Sequence, residues 1–324
     1  MHTIPQLQQI IDDAVKQNQY PSHPKELYEP ITYLMALGGK RLRPALLLMA
    51  TDLFAGDVYK ALKPALAIET FHNFTLMHDD IMDKAPLRRG NPTVHVKWSE
   101  SVAILSGDVM FVEAFKLMIQ VEPHILLQVL NVFNDTAVGV CEGQQIDMNF
   151  ETSTEVTIAD YLEMIRLKTA VLLGGALKIG ALVGNASLAE ANKLYDFGLN
   201  LGIAFQLQDD ILDVYGDPEK FGKQVGGDII SNKKTFLLIK ALELADDATL
   251  QKLNGYLLNS TISSSEKVIA VTAIYNKLNI KNIAEAEMMK FANISLTAMQ
   301  DIEVPEERKL VLMDFANGLI TRDN

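Results

Sequence analysis

Cysteine and aromatic residues are scarce in this chain. Cys141 is the only cysteine among 324 residues, which excludes an intramolecular disulfide framework and indicates a reducing compartment. We interpret Cys141 as a small buried residue of a helix rather than as a nucleophile. Aromatic side chains make up only 7% of the residues, while Ala, Leu, Ile and Met are plentiful. This composition favours helices over sheets.

Positive charge is also in short supply. The chain has 29 Lys and Arg against 41 Asp and Glu, which gives a formal net charge of −12. A nucleic-acid partner would require a basic surface, and this balance argues against one. The same net charge repels a polyphosphate at long range. Any phosphorylated substrate must therefore be bound by local basic clusters and by metal ions.

Long apolar runs are missing as well. The most apolar stretch, residues 169–184, is interrupted by Lys178 and is too short to span a bilayer. The first residues, MHTIPQLQQIIDDAVKQ, have neither the basic region nor the apolar region of a signal peptide. We therefore expect a cytoplasmic protein without a transmembrane segment.

Apolar residues recur at spacings of three and four along almost the whole chain, which predicts helices. No stretch alternates between apolar and polar residues with period two, so we expect essentially no sheet. We predict an all-α fold, with residues 1–324 forming a single domain. In it, long and mostly antiparallel helices form one large bundle around a central cavity. The predicted helices are 4–18, 23–37, 41–53, 59–83, 95–119, 123–149, 158–184, 188–214, 233–246, 264–292 and 305–321.

One long segment, residues 215–232, is predicted to be non-helical. It contains Gly216, Gly222, Gly226 and Gly227. A loop of this length in a compact protein is usually functional. We expect it to form a mobile lid over a binding site.

The pentapeptide D-D-x-x-D occurs twice, as Asp79-Asp80-Ile81-Met82-Asp83 and as Asp209-Asp210-Ile211-Leu212-Asp213. Each copy ends an apolar, helix-like stretch, and residues i and i+4 of a helix share a face. Carboxylates at this spacing repel one another unless a cation lies between them. Magnesium is the natural candidate, because it is held by one or two carboxylates together with substrate phosphates. Two such clusters facing each other would bind a diphosphate.

A simpler explanation of one D-D-x-x-D motif is a solvated acidic helix end. Aspartate is a poor residue for a helix interior, because its side chain competes for backbone hydrogen bonds. A second copy in a matching sequence context repeats that cost. Surface solubility alone does not account for the pair, so we favour the metal-binding hypothesis.

Basic residues accompany both acidic motifs. The run GGKRLRP places Lys40, Arg41 and Arg43 at a predicted helix start, where guanidinium and backbone N–H groups can bind phosphate. A basic helix end in solvent is the alternative for this run taken alone. The other candidate cations follow the acidic motifs or lie on the 158–184 helix: Arg88, Arg89, Lys168, Lys223, Lys233 and Lys234.

The assembled motifs resemble those of the trans-isoprenyl diphosphate synthases, the polyprenyl synthetase family. They are GGKRLRP, HDDIMD with KAPLRRG, EGQQID, KTA, FQLQDDILD, GDPEKFGK and NKKT, and they stand in the family order over most of the chain. The resemblance implies an isoprenoid synthase-like fold and a homodimer. It also implies Mg²⁺-dependent, head-to-tail condensation of an allylic diphosphate with isopentenyl diphosphate, with about three Mg²⁺ ions per site.

By this resemblance each motif residue has an expected role. Asp79, Asp83 and Asp209 would bind the metal ions, supported by Asp80, Asp210 and Asp213. The allylic diphosphate would be contacted by Arg88, Lys168, Lys223 and Lys233, with Thr169 and Gln206 beside the reacting carbon. Isopentenyl diphosphate would be bound by Lys40, Arg43, His72 and Arg89, and Gln144 and Asp147 would line the site.

Product length is expected to depend on the residues one turn before Asp79, where the growing tail would run. Phe74 is bulky and Thr75 is small, and a single aromatic residue there suggests a C15–C20 product. An ordinary core role for Phe74 is the alternative.

Two other functions compete with this one. A class I terpene cyclase also uses an acidic helix motif and Mg²⁺, but it needs no second diphosphate site, which the set Lys40, Arg43, His72 and Arg89 would supply. A non-catalytic helical subunit of a heteromeric synthase would be expected to lose an acidic motif, whereas this chain keeps both.

Overall fold

The computed structural model of the protein describes residues 2–153, 155–217, 225–259 and 261–321. The helices, in chain order, are α1 (Ile4–Gln17), α2 (Lys25–Ala36), α3 (Leu42–Leu53), α4 (Leu62–Met82), α5 (Val94–Lys97), α6 (Glu100–Met118), α7 (Leu126–Thr152), α8 (Ile158–Ile165), α9 (Val171–Val183), α10 (Leu188–Tyr215), α11 (Gly227–Ile230), α12 (Phe236–Leu244), α13 (Asp247–Leu258), α14 (Ser264–Lys277), α15 (Ile280–Gln300) and α16 (Glu306–Ile320). A π-helical turn, Arg166–Ala170, joins α8 to α9 without a break. The predicted all-α fold class is confirmed.

The strands of the described residues form one small hairpin, β1 (Leu87–Arg88) and β2 (Asn91–Pro92). Its two central residues, Arg89 and Gly90, both have positive φ, at 52° and 76°. Two such residues are typical of a type I′ turn, whose twist matches that of the flanking strands. The hairpin presents two adjacent arginines immediately after the first acidic motif.

Several predicted boundaries were wrong. Residues 264–292, predicted as one helix, form α14 and α15, because Asn279 has a φ of 57° and breaks the helical path. Helix α13 was not predicted; Asp246 caps it by accepting a hydrogen bond from the Thr249 backbone N–H at 2.7 Å. The predicted loop 215–232 contains α11, and its residues 218–224 lie outside the described ranges.

The chain is divided into two compact units. The first comprises residues 1–135, 175–195 and 302–312, and the second comprises residues 136–174, 196–301 and 313–324. That residues 1–324 form a single domain around a central cavity stays a prediction.

The first unit is built around α3 and α4. Every residue of α3 from Pro44 to Leu53 is buried, as expected for a helix that is covered on all sides. Glycines allow helices to approach closely: a Cβ added to Gly180 would lie 2.1 Å from the Leu47 carbonyl oxygen of α3. A Cβ at Gly107 on α6 would lie 2.2 Å from the His78 imidazole of α4. The second contact allows α6 to pack closely against α4, the helix that carries the first acidic motif.

The second unit packs α7, the π-helical turn and α10 against one another. A Cβ at Gly143 on α7 would lie 2.2 Å from the Lys168 backbone nitrogen, and one at Gly202 on α10 would lie 2.7 Å from the Ala170 Cα atom. Because neither glycine has a side chain, α7 and α10 can both pack closely against the π-helical turn. Cys141, also on α7, is exposed, so its interpretation as a buried residue was wrong.

None of the helices in the described part of the chain is both long and apolar enough to cross a bilayer.

Candidate functional site

The first acidic motif lies at the carboxyl end of α4. Asp79 and Asp80 belong to the last turn, and Asp83 is the C-cap, whose N–H donates to the Asp79 carbonyl at 2.9 Å. Asp79 is half-buried and Asp83 is exposed. Acidic side chains at a helix carboxyl end oppose the helix dipole. This placement lowers stability unless a cation neutralises the carboxylates.

Asp80 differs from its two neighbours, because it is buried and paired with Arg88. The Arg88 Nε lies 2.9 and 2.8 Å from the two carboxylate oxygens, and Nη2 lies 2.7 Å from Oδ1. A bidentate pair of this kind fixes the orientation of the guanidinium. In this structure, Asp80 therefore positions Arg88.

Arg89 is held by the glycines that precede Lys40. Its Nη1 donates to the Gly38 carbonyl, and a Cβ at Gly39 would lie only 2.9 Å from its Nη2. Gly39 has a φ of 137°, which a residue with a side chain rarely adopts. Burial lowers the pKa of Arg89 from its usual value. The GGKRLRP loop and the hairpin are thus joined through Arg89.

His72 and Arg43 form the next contact of this cluster. His72 Nε2 lies 3.1 Å from Arg43 Nη1. Burial, and then the positive charges of Arg43, Arg89 and Arg88, hold the pKa of His72 well below its usual value. Because the guanidinium can only donate, a neutral His72 accepts through Nε2 and carries its proton on Nδ1.

The three cations of GGKRLRP have different environments. Lys40 is exposed, and its carbonyl accepts a hydrogen bond from Gln8 at 2.7 Å. Arg41 is 5% exposed, pairs with Glu69 and donates to the Met35 carbonyl at 2.9 Å. Arg41 therefore stabilises the GGKRLRP loop through buried contacts. Lys40 and Arg43 remain the candidates for phosphate contact.

Phe74 is part of an aromatic cluster. It stacks on Phe111 of α6 with the ring centroids 5.3 Å apart and the planes at 18°, and it meets Phe71 at 5.6 Å and His78 at 4.8 Å. Phe133 packs against Phe71 from behind, with the centroids 5.5 Å apart. Phe74 was predicted from the sequence, but Phe111 was not, because it is 37 positions further along the chain. Thr75 donates to the His72 carbonyl at 2.8 Å.

The second acidic motif lies near the end of α10, and its middle aspartate is buried. Asp210 is 3% exposed, accepts a hydrogen bond from the Tyr161 hydroxyl, and is bonded by Gln206 Nε2 at 3.2 Å. Burial raises the pKa of the Asp210 carboxyl to about 7, and the Asp228 carboxylate adds to the increase while Lys233 opposes it. Asp209 beside it is half-buried. Tyr161 was not predicted as a site residue, since no motif contains it.

Asp213, the last residue of the second motif, contacts the start of α11. Its carboxylate accepts from the Asp228 N–H at 3.0 Å, and its carbonyl accepts from the Gly226 N–H at 2.6 Å. A carboxylate at a helix amino end satisfies an N–H group that has no partner within the helix. Asp213 therefore joins α10 to the segment that follows the motif.

The π-helical turn presents Lys168 and Thr169. Lys168 Nζ lies 2.5 Å from the Asp147 carboxylate, and the Thr169 hydroxyl donates to Gln206 Oε1 at 3.2 Å. Gln144, on the same helix as Asp147, is half-buried. A small cavity in the second unit is lined by these residues and their neighbours: Asp147, Tyr161, Met164, Ile165, Lys168, Thr169, Gln206, Asp210 and Lys233.

The structure brings together most of the predicted site residues within each unit. The first unit joins Arg43 to His72, Asp80 to Arg88, and Arg89 to the Gly38–Gly39 loop. The second unit joins Lys168 to Asp147, and Thr169 to Gln206 and through it to Asp210. Lys223 lies outside the described residues.

A magnesium ion fits the donor set of the acidic motifs. In the residues that the structure describes, no three His, Cys, Asp or Glu side chains converge on one point. Magnesium is commonly held by one or two carboxylates and completes its shell with water and substrate phosphates. A pair of aspartates one turn apart would be such a partial site.

Comparison with known proteins agrees with these motifs. The sequence model of the family described as polyprenyl synthetase matches residues 24–277. A geranylgeranyl diphosphate synthase of Methanosarcina mazei is 45% identical over 316 residues, 97% of this chain and 95% of that protein. A geranylfarnesyl diphosphate synthase of Natronomonas pharaonis is 36% identical over 262 residues, 75% and 77% of the two chains.

The fold is shared as well. A crystal structure of geranylgeranyl pyrophosphate synthase superposes with a TM-score of 0.95 at 39% identity, covering 100% of both chains. The family model and both sequence relatives each cover well over half of the chain. The chain is therefore a member of the polyprenyl synthetase family.

Proposed function

We propose that the protein condenses an allylic diphosphate with isopentenyl diphosphate to form a short-chain all-trans prenyl diphosphate, releasing diphosphate. The observation that carries this proposal is the cluster of Arg43, His72 and Arg89 in the first unit. These groups can hold a diphosphate without a metal ion. A terpene cyclase has no use for such a second site.

The acidic motifs are the proposed metal ligands. Asp79, Asp83 and Asp209 would bind about three Mg²⁺ ions, which neutralise the leaving diphosphate. We propose that Asp80, Asp210 and Asp213 support them, through the contacts to Arg88, Tyr161 and Asp228 described above. Arg88, Lys168, Lys223 and Lys233 would contact the allylic diphosphate.

Isopentenyl diphosphate is proposed to bind Lys40, Arg43, His72 and Arg89. Neutral His72 accepts from Arg43, and its Nδ1–H can donate to a phosphate oxygen. Arg89 is oriented by the Gly38 carbonyl before the substrate arrives. Such orientation lowers the entropy cost of binding.

Loss of diphosphate leaves an allylic cation, which needs oxygen atoms nearby but no nucleophile. Thr169 and Gln206 are bonded to each other, so the position of both oxygens is fixed. Gln144 and Asp147 are the proposed lining on α7, with Asp147 also holding Lys168. The departing diphosphate would accept the final proton, which agrees with the absence of a general-base motif in the sequence.

The proposed product is C20. Phe74, backed by Phe111, would limit the space for the growing tail below Asp79, with small Thr75 leaving room beside it. The name of the relative that is 45% identical supports this length. A C25 product, as the name of the 36% identical relative implies for that protein, is the competing outcome.

A homodimer is proposed as the active assembly. Helix α6 exposes several large apolar side chains, which water disfavours: Ile104, Leu105, Phe111, Val112 and Phe115. A second copy of the chain would cover them. The cytoplasm is the proposed location, supported by the single cysteine.

The decisive experiment incubates the purified protein with Mg²⁺, isopentenyl diphosphate and, in turn, dimethylallyl, geranyl or farnesyl diphosphate. We expect diphosphate release only when isopentenyl diphosphate is present, together with a prenyl product identified by chromatography. Release without isopentenyl diphosphate would instead indicate a cyclase. No release with any starter would indicate a non-catalytic subunit.

A further inference from the structure

The segment that follows the second acidic motif ends in a turn that one distant lysine holds. We call residues 225–234 the post-motif segment; it contains α11, then Asn232 with a φ of 55°, then Lys233. The Lys233 N–H donates to the Asp228 carbonyl at 2.9 Å. The backbone of Lys233 is thus tied to α11, and anything that moves α11 moves Lys233.

Lys267, on α14, is buried against this segment. Its ammonium donates to the Ile230 carbonyl at 3.1 Å and to Asn232 Oδ1 at 2.6 Å, and the residue is only 7% exposed. Both acceptors are neutral oxygens. Burying an ammonium group without a carboxylate costs free energy, and burial accordingly lowers the pKa of Lys267. A methionine at this place would pack without that cost.

Each end of α11 is fastened by a different contact. At its amino end, Asp213 accepts from the Asp228 N–H at 3.0 Å and from the Gly226 N–H at 2.6 Å. At its carboxyl end, Lys267 binds the Ile230 carbonyl, and Asn232 Nδ2 donates to the Leu257 carbonyl at 3.0 Å. The contacts at the amino end of α11 come from Asp213 of the acidic motif itself. The contacts at the carboxyl end come from Lys267 and Leu257, which lie on helices outside every recognised motif.

The turn that Lys267 contacts places the Lys233 side chain at the cavity of the second unit. Lys233 lines that cavity together with Lys168, Thr169, Gln206 and Asp210. Its charge acts on the Asp210 carboxyl, as the lowering effect of Lys233 on the pKa of Asp210 shows. A shift of α11 would therefore move a cation away from the acidic motif.

We propose that Lys267 is a positioning residue for the prenyl transfer reaction: by holding Ile230 and Asn232 it fixes Lys233 where the allylic diphosphate binds. The inference rests on the proposed role of Lys233 as a diphosphate contact. The Lys267 ammonium bridges two oxygens of one turn, which an apolar side chain cannot do.

The test compares steady-state kinetics of Lys267→Met, Lys267→Arg and the native protein, with Lys277→Met as the matched control. Lys277 is on the same helix and is largely exposed. We expect Lys267→Met to raise the KM for the allylic diphosphate about tenfold, with the KM for isopentenyl diphosphate unchanged. Lys267→Arg should recover most of the loss, and Lys277→Met should behave as the native protein.

The same measurements in a Lys233→Ala background separate positioning from general destabilisation. If Lys267 acts through Lys233, adding Lys267→Met to Lys233→Ala should change the allylic KM less than about twofold. A full tenfold effect in that background, or an unchanged KM in Lys267→Met alone, would overturn the proposal.

Asn232→Gly provides a second variant in case Lys267→Met does not fold. Glycine adopts the positive φ of Asn232 readily, and it removes both the acceptor for Lys267 and the donor to the Leu257 carbonyl, the two side-chain contacts at the carboxyl end of α11. It should raise the allylic KM in the same direction and lose that effect in the Lys233→Ala background; a retained effect contradicts the proposal. Failure of the proposed function would look different, because the native protein would then form no prenyl product at all.

Discussion

At the scale of single residues, the stacked pair of Phe74 and Phe111 is the proposed limit on the space for the growing tail below Asp79. Phe74 is confined by Phe111, Phe71 and His78, so its ring cannot turn aside easily. We expect Phe74→Ala to lengthen the product by at least one isoprene unit. Phe111→Ala should have the same direction with a smaller effect, because it only frees the Phe74 ring to move.

Chromatography of the chain-length distribution, with isopentenyl diphosphate in excess, checks this prediction. Tyr59→Ala is the control, since Tyr59 is an aromatic residue of the same unit that is 65% exposed. An unchanged distribution in Phe74→Ala would remove Phe74 from the proposed tail site and leave it as an ordinary core residue.

Two side-chain contacts of the acidic motifs could not be predicted from the sequence. The spacing of the first motif places Asp79 and Asp83 on one face of a helix, and the structure agrees. Spacing could not show that Asp80 pairs with Arg88, because that contact depends on a hairpin whose turn has two residues of positive φ. Tyr161 was missed for a related reason: it meets Asp210 from 49 positions away.

At the scale of elements, the π-helical turn Arg166–Ala170 sets the position of Lys168 and Thr169. Apolar periodicity predicted the helix over 158–184 but could not reveal the turn, because residues 170–177 (AVLLGGAL) are apolar without a break and a change of helical phase there leaves no mark in the pattern. The structure shows the turn held between Gly143 and Gly202. Turns of this kind within α-helices are frequent at functional sites.

We expect Gly143→Ala to lower kcat by about tenfold or more, because a Cβ would lie 2.2 Å from the Lys168 backbone nitrogen and would displace the turn. Kinetics together with thermal unfolding measure the effect. Gly255→Ala is the matched control: Gly255 is inside α13, and a Cβ there meets nothing within 4 Å.

That control should increase stability by about 0.5–1 kcal/mol, as replacement of a helix-interior glycine by alanine usually does, without changing kcat. Native kcat in Gly143→Ala would mean that the position of the π-helical turn does not matter for turnover.

At the scale of the whole molecule, composition and periodicity were enough to predict the helical fold class, because apolar residues recur at spacings of three and four along almost the whole chain. The net charge of −12 describes the whole chain and does not predict the local charge of a site. Three positive side chains, Arg43, Arg88 and Arg89, lie near His72 although the chain as a whole is acidic. Helix ends were harder to predict. The break at Asn279 depends on one residue of positive φ, and α13 depends on the cap at Asp246.

The proposed homodimer can be tested through the apolar face of α6. Val112 is 58% exposed within a row of apolar side chains on that helix, and a glutamate there would place a charge in the buried interface. We expect Val112→Glu to convert the dimer to a monomer, as measured by light scattering on a sizing column. Leu258→Glu is the control, because Leu258 is 86% exposed at the end of α13, away from α6 in the sequence.

The monomer should also lose activity, since Phe111 and Phe115 belong to the same exposed row and Phe111 backs the proposed tail site. If native protein and Val112→Glu have the same mass at all concentrations, α6 is not the interface. If Val112→Glu is monomeric with native turnover, the assembly does not support the active site. Dissociation with loss of activity that returns at high protein concentration would connect the two through mass action.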